Sequence, residues 1–316
     1  MQFLKPETNY DFMGIRRIAG TVSFLLVLIS LISLFVQGLN LGIDFTGGTM
    51  IELSYKQPAD LQKVRDTLKE NKYNDAIVQT FGSVHDVLIR LPIVDKKNMA
   101  EVSNHVLSTL QAKSSTPIEL RRVEFVGPQV GKELTEDGGL AMLYALIGIL
   151  IYVSLRFEYR FAIGSVMALM HDVIITLGFF SIFQIEFDLT VLAAVLTIIG
   201  YSINDTIVVF DRIRENFLRN RKELPAVTIN GAINSTLSRT LMTSFATILV
   251  VFALFFFGGE VIHNFALALL LGIVVGTYSS IYIASSIALA MGVSKRDLMP
   301  IQKENNPNIN PDGSQV

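Results

Sequence analysis

Two aspartates and one arginine have surroundings in this sequence that could give them chemistry. Asp172 and Asp205 each interrupt a long apolar stretch, and Arg239 stands just before another. A carboxylate at membrane depth is costly and usually faces a bundle interior or a water path. An acid that can lose its proton, beside a cation that can approach or withdraw, could couple proton binding to helix movement. A static ion pair, or an arginine that only reaches the interface, is the simpler interpretation.

Small and polar residues recur at helical spacing around both acids, as a hydrated or buried contact requires. The face predicted around Asp205 comprises Thr190, Ala194, Thr197, Tyr201 and Asp205, with Ser202 and Asn204 beside it. The faces predicted around Asp172 and Arg239 comprise Ser165, Ala168, Asp172 and Thr176, and Arg239, Thr243 and Thr247. For Asp172 and its neighbour His171, a structural hydrogen bond is the alternative. Gly272, Gly276, Ser279 and Ser280 predict close helix packing in the last span. The predicted proton pathway comprises Asp205, Arg239, Asn204, Tyr201, Ser202, Thr243, Asp172 and His171.

The composition indicates that membrane helices position these residues. The chain is 51% hydrophobic and 17% charged, with a mean hydropathy of +0.48, whereas soluble proteins are about 25% charged. A bilayer core of about 30 Å is crossed by roughly 20 apolar residues in a helix. The six candidate spans are 18–36, 138–155, 161–183, 189–210, 240–257 and 265–291, and the start of the second, at a Gly-Gly pair, is the least defined. The sequence therefore predicts an α-helical integral membrane protein with six transmembrane helices.

The distribution of lysine and arginine predicts the orientation of these helices. Basic residues flank the spans in the N-terminal segment 1–17, in the loops 156–160 and 211–239, and in the tail 292–316. The short loops 184–188 and 258–264 carry none. Because cytoplasmic loops are enriched in basic residues, we expect both termini in the cytoplasm. The loop 37–137 also carries lysine and arginine, but long loops translocate largely regardless of charge.

The loop 37–137 is long enough to fold as a small domain between the first two spans. Alternating apolar residues predict strands at 51–55, 76–81, 87–91 and 118–126, and helical spacing predicts helices at 61–68 and 99–110. The order β-α-β-β-α-β is that of a ferredoxin-like α+β domain, here placed outside the cytoplasm. His85-Asp86 lies at the start of a predicted strand and is most simply explained as a turn. Nothing in this domain indicates catalysis, so a binding surface is expected.

Enzyme chemistry finds little support in the motifs. The chain has no cysteine and four scattered histidines, and it lacks HExxH, GxSxG and Walker sequences. Gly127 to Glu133 is one residue short of a phosphate loop and has Glu133 where that loop has serine or threonine. A net charge of −2 gives no indication of a nucleic-acid partner. We therefore expect a non-enzymatic protein without cofactor or metal, driven by an ion gradient or by the ATPase of a partner.

Four segments resemble the SecD/SecF family of protein-export membrane proteins. They are Gly42-Ile43-Asp44-Phe45-Thr46-Gly47-Gly48, Val126 to Gly131, the long run from Ile199 to Glu215, and Ser238-Arg239-Thr240. The run from Ile199 to Glu215 is the most specific of them, and the similarity extends over about residues 10–295. The length and the six spans resemble the shorter members of the family, because SecD members are usually longer with a larger outer region.

The resemblance implies an accessory subunit of the bacterial Sec export machinery, in the cytoplasmic (inner) membrane. The implied partners are SecD, the SecYEG channel, YajC, SecA in the same pathway, and an unfolded preprotein in transit. The family is related to resistance–nodulation–division transporters and is thought to use the proton-motive force late in translocation. Asp205 and Arg239 occupy the family's proton-pathway positions. The family motifs also include a predicted hinge, formed by Gly42, Asp44, Gly47, Gly48, Gly127 and Pro128.

Two other functions are compatible with the residues alone. One half of a proton-coupled small-molecule transporter would also have six spans and buried acids, and it would also require a partner. A scaffold that only stabilises the translocon would tolerate Asp205→Asn. We further expect residues 42–48 to form a tight glycine turn, and the polar tail 303–316 to be disordered.

Overall fold

The computed structural model describes residues 8–92, 99–114, 116–219 and 223–293 of the 316-residue chain. The predicted tail 303–316, and all but the first two residues of 292–316, lie outside these ranges. In chain order the elements are α1 (Arg16–Val36), β1 (Asn40–Leu41), α2 (Ile43–Thr46), β2 (Gly48–Tyr55), α3 (Leu61–Glu70), β3 (Ile77–Phe81), β4 (Ser83–Leu91), α4 (Met99–Lys113), β5 (Ile118–Val126), α5 (Pro128–Arg156), α6 (Tyr159–Ile182), β6 (Glu186–Phe187), α7 (Leu189–Arg219), α8 (Pro225–Phe257), a 3₁₀ turn (Glu260–Ile262), α9 (His263–Ser279), a π turn (Ser280–Ala284) and α10 (Ser285–Ala290).

Six helical segments are long and apolar enough to cross a membrane, namely α1, α5, α6, α7, α8 and the continuous run Glu260–Ala290. The predicted α-helical membrane protein with six spans is confirmed at this level. Helices α6 and α7 and the last run bury half or more of their most apolar window, whereas α1, α5 and α8 bury less than a fifth. The first three therefore form the centre of the bundle, and the other three present apolar surface to lipid or to other proteins.

Residues 48–126 form a four-stranded antiparallel sheet in the order β3-β4-β2-β5, with α3 and α4 in the two crossovers. The elements follow one another as β-α-β-β-α-β, as the periodicity predicts. Ile51, Leu53, Ile89 and Val106 are completely buried in the core of this domain. Asp60 caps α3 by accepting hydrogen bonds from the next helical N–H groups, which satisfies donors that have no partner within the helix.

The turn predicted at His85-Asp86 is wrong, because both residues lie inside strand β4. The chain reverses two residues earlier, at Gly82, whose φ of 73° is open to glycine without steric penalty. The Ser83 hydroxyl bonds both the Asp86 carboxylate and the His85 N–H, so the polar pair belongs to the start of the strand. The turn predicted at 42–48 is a short helix, α2, followed by Gly47 and Gly48 at φ values of 70° and 139°.

Three helices extend well beyond the predicted spans. Helix α5 begins at Pro128 instead of 138, because Gly127 and Pro128 form a helix start whose missing N–H has no cost at that position. Helices α7 and α8 continue through most of the predicted loop 211–239. Hydropathy detects where a helix leaves the apolar layer, whereas the helix itself continues until its backbone hydrogen bonds end.

The inner extensions of α7 and α8 pack against each other and against the N-terminal segment. Arg212 of α7 donates to Ser235 Oγ of α8 at 2.9 Å. Asn230 and Asn234 of α8 both donate to the backbone oxygen of Tyr10, at 2.9 and 2.8 Å. The predicted basic loop is therefore an ordered helical hairpin over its described residues.

Candidate functional site

Asp172 lies at the centre of the membrane bundle and has donors from three helices. It is completely buried. Its Oδ2 accepts hydrogen bonds from Ser202 Oγ of α7 at 2.6 Å and from Ser279 Oγ of α9 at 2.8 Å. Its Oδ1 lies 2.9 Å from Nδ1 of its neighbour His171. Two serine hydroxyls donate to this carboxylate and the His171 ring is a third hydrogen-bond partner, which is how buried acids are retained in proteins.

Close helix packing brings these groups together. Gly276 on α9 faces Ser202, and a Cβ at that glycine would lie 3.1 Å from Ser202 Cβ and 3.5 Å from Asp172 Oδ2. One turn away, Gly272 faces Ile198 in the same manner. The small residues thus let α7 and α9 approach until their hydroxyls reach Asp172. Ser279, which the sequence indicated only as a packing residue, is therefore a direct partner of the acid.

The face predicted around Asp172 is buried as expected. Ser165, Ala168, Asp172 and Thr176 are all fully inaccessible. On the other side of His171, its ring stacks on Tyr278, whose hydroxyl donates to the Ala19 backbone oxygen of α1 at 2.8 Å. The Asp172 network therefore connects α6, α7 and α9 directly and reaches α1 through the aromatic pair.

Asp205 has different surroundings. Its side chain is buried, with 4% exposure, yet its Oδ2 has no hydrogen-bond partner among the described residues. Within the same part of the chain no ion pair joins it to Arg239, which is exposed on α8. The two side chains form no hydrogen bond or salt bridge in this conformation, although Arg239 lies near enough for its charge to act on Asp205. The coupling of Asp205 to Arg239 stays a prediction.

A hydrogen bond fixes the register of α7 against α8 beside Asp205. Tyr201 donates to Ser244 Oγ at 3.4 Å, and Ser244 shares a 2.7 Å bond with Thr277 of α9. Because the two helices run antiparallel, Asp205, one turn after Tyr201, lies near the level of Thr240, one turn before Ser244. Thr240 is also buried, and its hydroxyl also has no partner among the described residues. Two unsatisfied polar groups therefore occupy one level of the α7–α8 contact.

The predicted polar face of α7 divides into two. Ser202 and Ala194 point into the bundle, whereas Thr197 and Asn204 are exposed and Tyr201 is half-buried between them. On α8, Thr243 is exposed, and its hydroxyl bonds the Arg239 and Thr240 backbone oxygens of its own helix. The exposed polar residues of the two helices, hereafter the α7–α8 polar face, are Thr197, Asn204, Arg239 and Thr243. Exposed side chains such as Asn204 and Arg239 are unfavourable toward hydrocarbon, so this face favours contact with another protein or with water.

The glycine motif residues lie at the base of the outer domain and have three different positions. Gly42 and Asp44 lie in the segment that packs against the outer ends of the membrane helices. Gly47 and Gly48 join that segment to strand β2. Gly127 and Pro128 begin helix α5 where the last strand ends.

Ser244, Thr277 and Thr240 were missed from sequence, because a single hydroxyl on an apolar helix carries no signal of what it faces.

Comparisons with known proteins identify related chains. The family model described as protein export membrane protein SecD/SecF, C-terminal, matches residues 106–294, and the SecD/SecF GG motif matches residues 32–59. The protein translocase subunit SecF of Vibrio alginolyticus is 53% identical over 303 residues, which cover 96% of both chains. The protein of the same name from Pseudomonas aeruginosa is 51% identical and covers 92% of this chain and 94% of its own.

Solved structures give the same result. The crystal structure of SecDF, a translocon-associated membrane protein from Thermus thermophilus, superposes with a TM-score of 0.83 at 38% identity. The match covers 92% of this chain and 39% of the SecDF chain, so the present chain corresponds to about two fifths of that protein.

Proposed function

The chain belongs to the SecD/SecF family of protein export membrane proteins, and from this premise we propose that it couples the proton-motive force to late preprotein translocation. Its relatives are named as protein translocase subunits, which supports an accessory role in the Sec translocase. In the proposed cycle, Asp205 takes up a proton and releases it again, and Arg239 and the flanking polar residues respond. Movement of the membrane helices then changes the position of the outer domain. Protons are the only cofactor in this proposal.

The observation that carries the proposal is the unsatisfied Asp205 carboxyl. A buried carboxylate that lacks donors is unfavourable while it is charged. Asp172, by contrast, accepts hydrogen bonds from two serine hydroxyls and contacts the His171 ring. Asp205 Oδ2 and the Thr240 hydroxyl at its level both lack partners, and a protonated carboxyl could donate to that hydroxyl oxygen. We therefore assign proton exchange to Asp205, and to Asp172 and His171 the part of the pathway that holds α6, α7 and α9 together.

SecD is the partner expected at the α7–α8 polar face. The name SecDF of the Thermus protein combines SecD and SecF, and the present chain matches only 39% of that chain. The remainder is therefore where a SecD part is expected. Asn204, Arg239 and Thr243 would be hydrogen-bonded by facing helices of SecD, which removes their contact with lipid. Polar side chains at this interface would also provide a path by which a proton reaches the Asp205 carboxyl. We further propose the SecYEG channel, YajC and SecA as partners in the same pathway, with an unfolded preprotein as the substrate.

The outer part of the chain is proposed to be a ferredoxin-like domain on the extracytoplasmic side. Its β-α-β-β-α-β order and its sheet order β3-β4-β2-β5 support this assignment. The basic residues of the described inner loops support a cytoplasmic location for both termini in a bacterial inner membrane. The proposed divisions are the cytoplasmic segment 1–17, span 18–36, outer domain 37–137, five-helix domain 138–291 and tail 292–316. The helix that begins at Pro128 would project from the membrane as the stalk of that domain.

The test follows export of a preprotein in vesicles that contain the protein, SecD, the SecYEG channel and SecA. Completion of a preprotein already partly translocated is measured with and without an imposed proton gradient. We expect stimulation by the gradient in the wild type, and its loss in Asp205→Asn and Arg239→Met. Asp211→Asn is the matched control, because Asp211 lies on the same helix but pairs with Arg156 at the surface.

Equal stimulation in wild type, Asp205→Asn and Arg239→Met would leave only the scaffold function. Proton-coupled movement of a small molecule by the protein with SecD, in vesicles without the channel, would instead support the transporter half. The absence of cysteine, HExxH or Walker sequences keeps a hydrolase outside this proposal.

A further inference from the structure

Residues 40–46, here called the entry segment, lead into the outer domain but pack against the membrane helices. Strand β1 pairs in parallel with β6, and Gly42 N–H donates to the Phe187 oxygen at 2.9 Å. Phe45 stacks on Phe187 with ring centres 5.8 Å apart. On the other side, a Cβ at Gly131 of α5 would lie 2.9 Å from the Phe45 oxygen. The entry segment is thus held between the outer ends of α5 and α7.

Asp44 of the entry segment caps helix α7. Its Oδ2 accepts the Leu189 N–H at 2.9 Å, and Leu189 is the first residue of α7. Asp188, the residue directly before the helix, also caps it: its Oδ1 accepts the Val191 N–H at 2.8 Å. Capping carboxylates satisfy helical N–H groups and favour the positive end of the helix dipole. The helix that carries Ser202 and Asp205 is therefore capped in part by a residue that is 145 positions away in the sequence.

The sheet of the outer domain makes a second contact beside this cap. Arg90 of strand β4 is 4% exposed and forms an ion pair with Glu186 of β6. Burial lowers the pKa of Arg90, and the charge of Asp188 opposes that effect. None of the three guanidinium nitrogens makes a hydrogen bond of ordinary geometry within the described residues, so these two carboxylates compensate the buried charge. The Gly82 turn also contacts Glu260, in the loop after α8.

Glycines connect the sheet to these fixed points. Gly47 and Gly48 have φ values of 70° and 139°, which only glycine adopts readily. Gly127, between β5 and α5, has no atom within 4 Å of the place a Cβ would occupy. Gly48 packs against the Leu91 oxygen and Gly47 against Gly131 of α5, so the open space is at the Gly127 connection. The contacts at Arg90 and Gly82 hold the sheet at two further points.

We propose that Asp44 and Arg90 are positioning residues that tie the outer domain to the outer end of helix α7. Asp44 holds the first turn of that helix from the entry segment, and Arg90 latches the sheet to Glu186 directly before it. A displacement of the sheet away from β6 breaks the Arg90–Glu186 pair. Because Glu186 lies just before α7, this displacement also loosens the first turn of that helix. The role in export rests on the proposed function, since α7 carries Asp205, but the tie itself is testable without export.

The tie is tested by hydrogen–deuterium exchange of the full chain, purified in lipid nanodiscs. We expect the amides of residues 189–192 to exchange roughly five- to tenfold faster in Asp44→Ala, because a lost cap weakens the first turn. Asp44→Asn keeps an acceptor oxygen and restores slow exchange. Asp60→Ala is the matched control, since it removes the same kind of cap from α3. It should accelerate exchange in α3 alone.

Arg90→Met removes the Arg90–Glu186 ion pair without changing any residue that bonds the α7 amides. We expect faster exchange at residues 189–192, and a broadened distance between spin labels at Val84→Cys and Val261→Cys. The labels are free of background because the chain has no cysteine. Arg121→Met, which removes an exposed arginine of the same sheet, should change neither.

Two results would overturn the proposal. One is wild-type exchange at residues 189–192 in Arg90→Met, and the other is an Asp44→Asn variant that exchanges as fast as Asp44→Ala. In the vesicle assay, Asp44→Ala should lose the gradient stimulation and Asp44→Asn should keep it. A wild type without gradient stimulation would contradict the proposed function, while the exchange results would still decide the tie.

Discussion

Asp172 and Asp205 lie on neighbouring helices, yet their carboxyl groups have different surroundings. Asp172 accepts from Ser202 and Ser279 and contacts His171. Asp205 Oδ2 has no partner among the described residues. In a medium of low polarity, hydrogen bonds decide whether a buried acid is structural or reactive. The geometry therefore favours Asp172 as the residue that organises the bundle and Asp205 as the residue that exchanges protons.

Removal of the Asp172 carboxyl is predicted to destabilise the membrane domain. Asp172→Leu leaves the Ser202 and Ser279 hydroxyls and His171 Nδ1 without an acceptor. Each buried group left unpaired costs about 1–3 kcal/mol. Asp172→Asn keeps one acceptor oxygen and should be much milder. The measurement is detergent-induced unfolding of the purified protein, followed by circular dichroism.

Thr176→Val is the control for Asp172→Leu, because Thr176 is equally buried on the same helix but bonds only its own backbone. Its loss should be small. An Asp172→Leu protein as stable as the wild type would contradict the structural role of this network.

At the scale of elements, the contact between α7 and α9 determines whether the network can form. Two glycines, Gly272 and Gly276, allow α9 to approach Ile198 and Ser202. The sequence predicted close packing from this pair. It could not predict which helix would face it, because the spacing of small residues on one helix contains no information about its neighbour.

Gly272→Ala is predicted to separate α7 from α9. The added Cβ would fall 2.2 Å from Ile198 Cδ1, and Ile198 is buried and cannot move freely. Overpacking of this kind costs about 1–3 kcal/mol. The same unfolding measurement should show a loss of stability for Gly272→Ala. Gly148→Ala should show none, because no atom lies within 4 Å of its Cβ position.

Gly272→Ala should cost less stability in an Ile198→Ala background than in the wild type, since Ile198→Ala removes Cδ1, Cγ1 and Cγ2, the three atoms that the new Cβ would meet. Additive effects of the two substitutions would show that the predicted contact is not the cause.

The described residues form a bundle with six candidate membrane spans and a small α+β domain that contacts one end of the bundle. The sequence was sufficient to predict the spans, the order of the outer strands and the burial of both aspartates, because these depend on periodicity and polarity. It gave a span from 138 but no sign that the helix containing it already begins at Gly127-Pro128, because hydropathy detects only the apolar part of a helix. It also paired Asp205 with Arg239, whose charge acts on Asp205 although the two side chains form no salt bridge here, so the pairing stays a prediction. Contacts between distant segments, such as Asp44 with α7, depend on packing that no local pattern encodes.

The α7–α8 polar face indicates that this chain is one part of a larger membrane assembly. Asn204 and Arg239 are exposed and would be unfavourable against lipid, whereas the Thr243 hydroxyl bonds the backbone of its own helix. In the assembled pair with SecD, Asp205 would lie beside a protein interface instead of lipid. The central claim is therefore best tested in that pair, on the Asp205 carboxyl itself.

The most direct measurement is infrared difference spectroscopy of the protein with SecD in lipid vesicles, between outer pH values imposed on either side of neutrality. We expect a carboxylic acid C=O band that appears as the outer side is acidified. This band should be absent in Asp205→Asn and retained in Asp211→Asn. A C=O band that persists unchanged in Asp205→Asn, or a wild-type spectrum without such a band, would contradict proton exchange at Asp205.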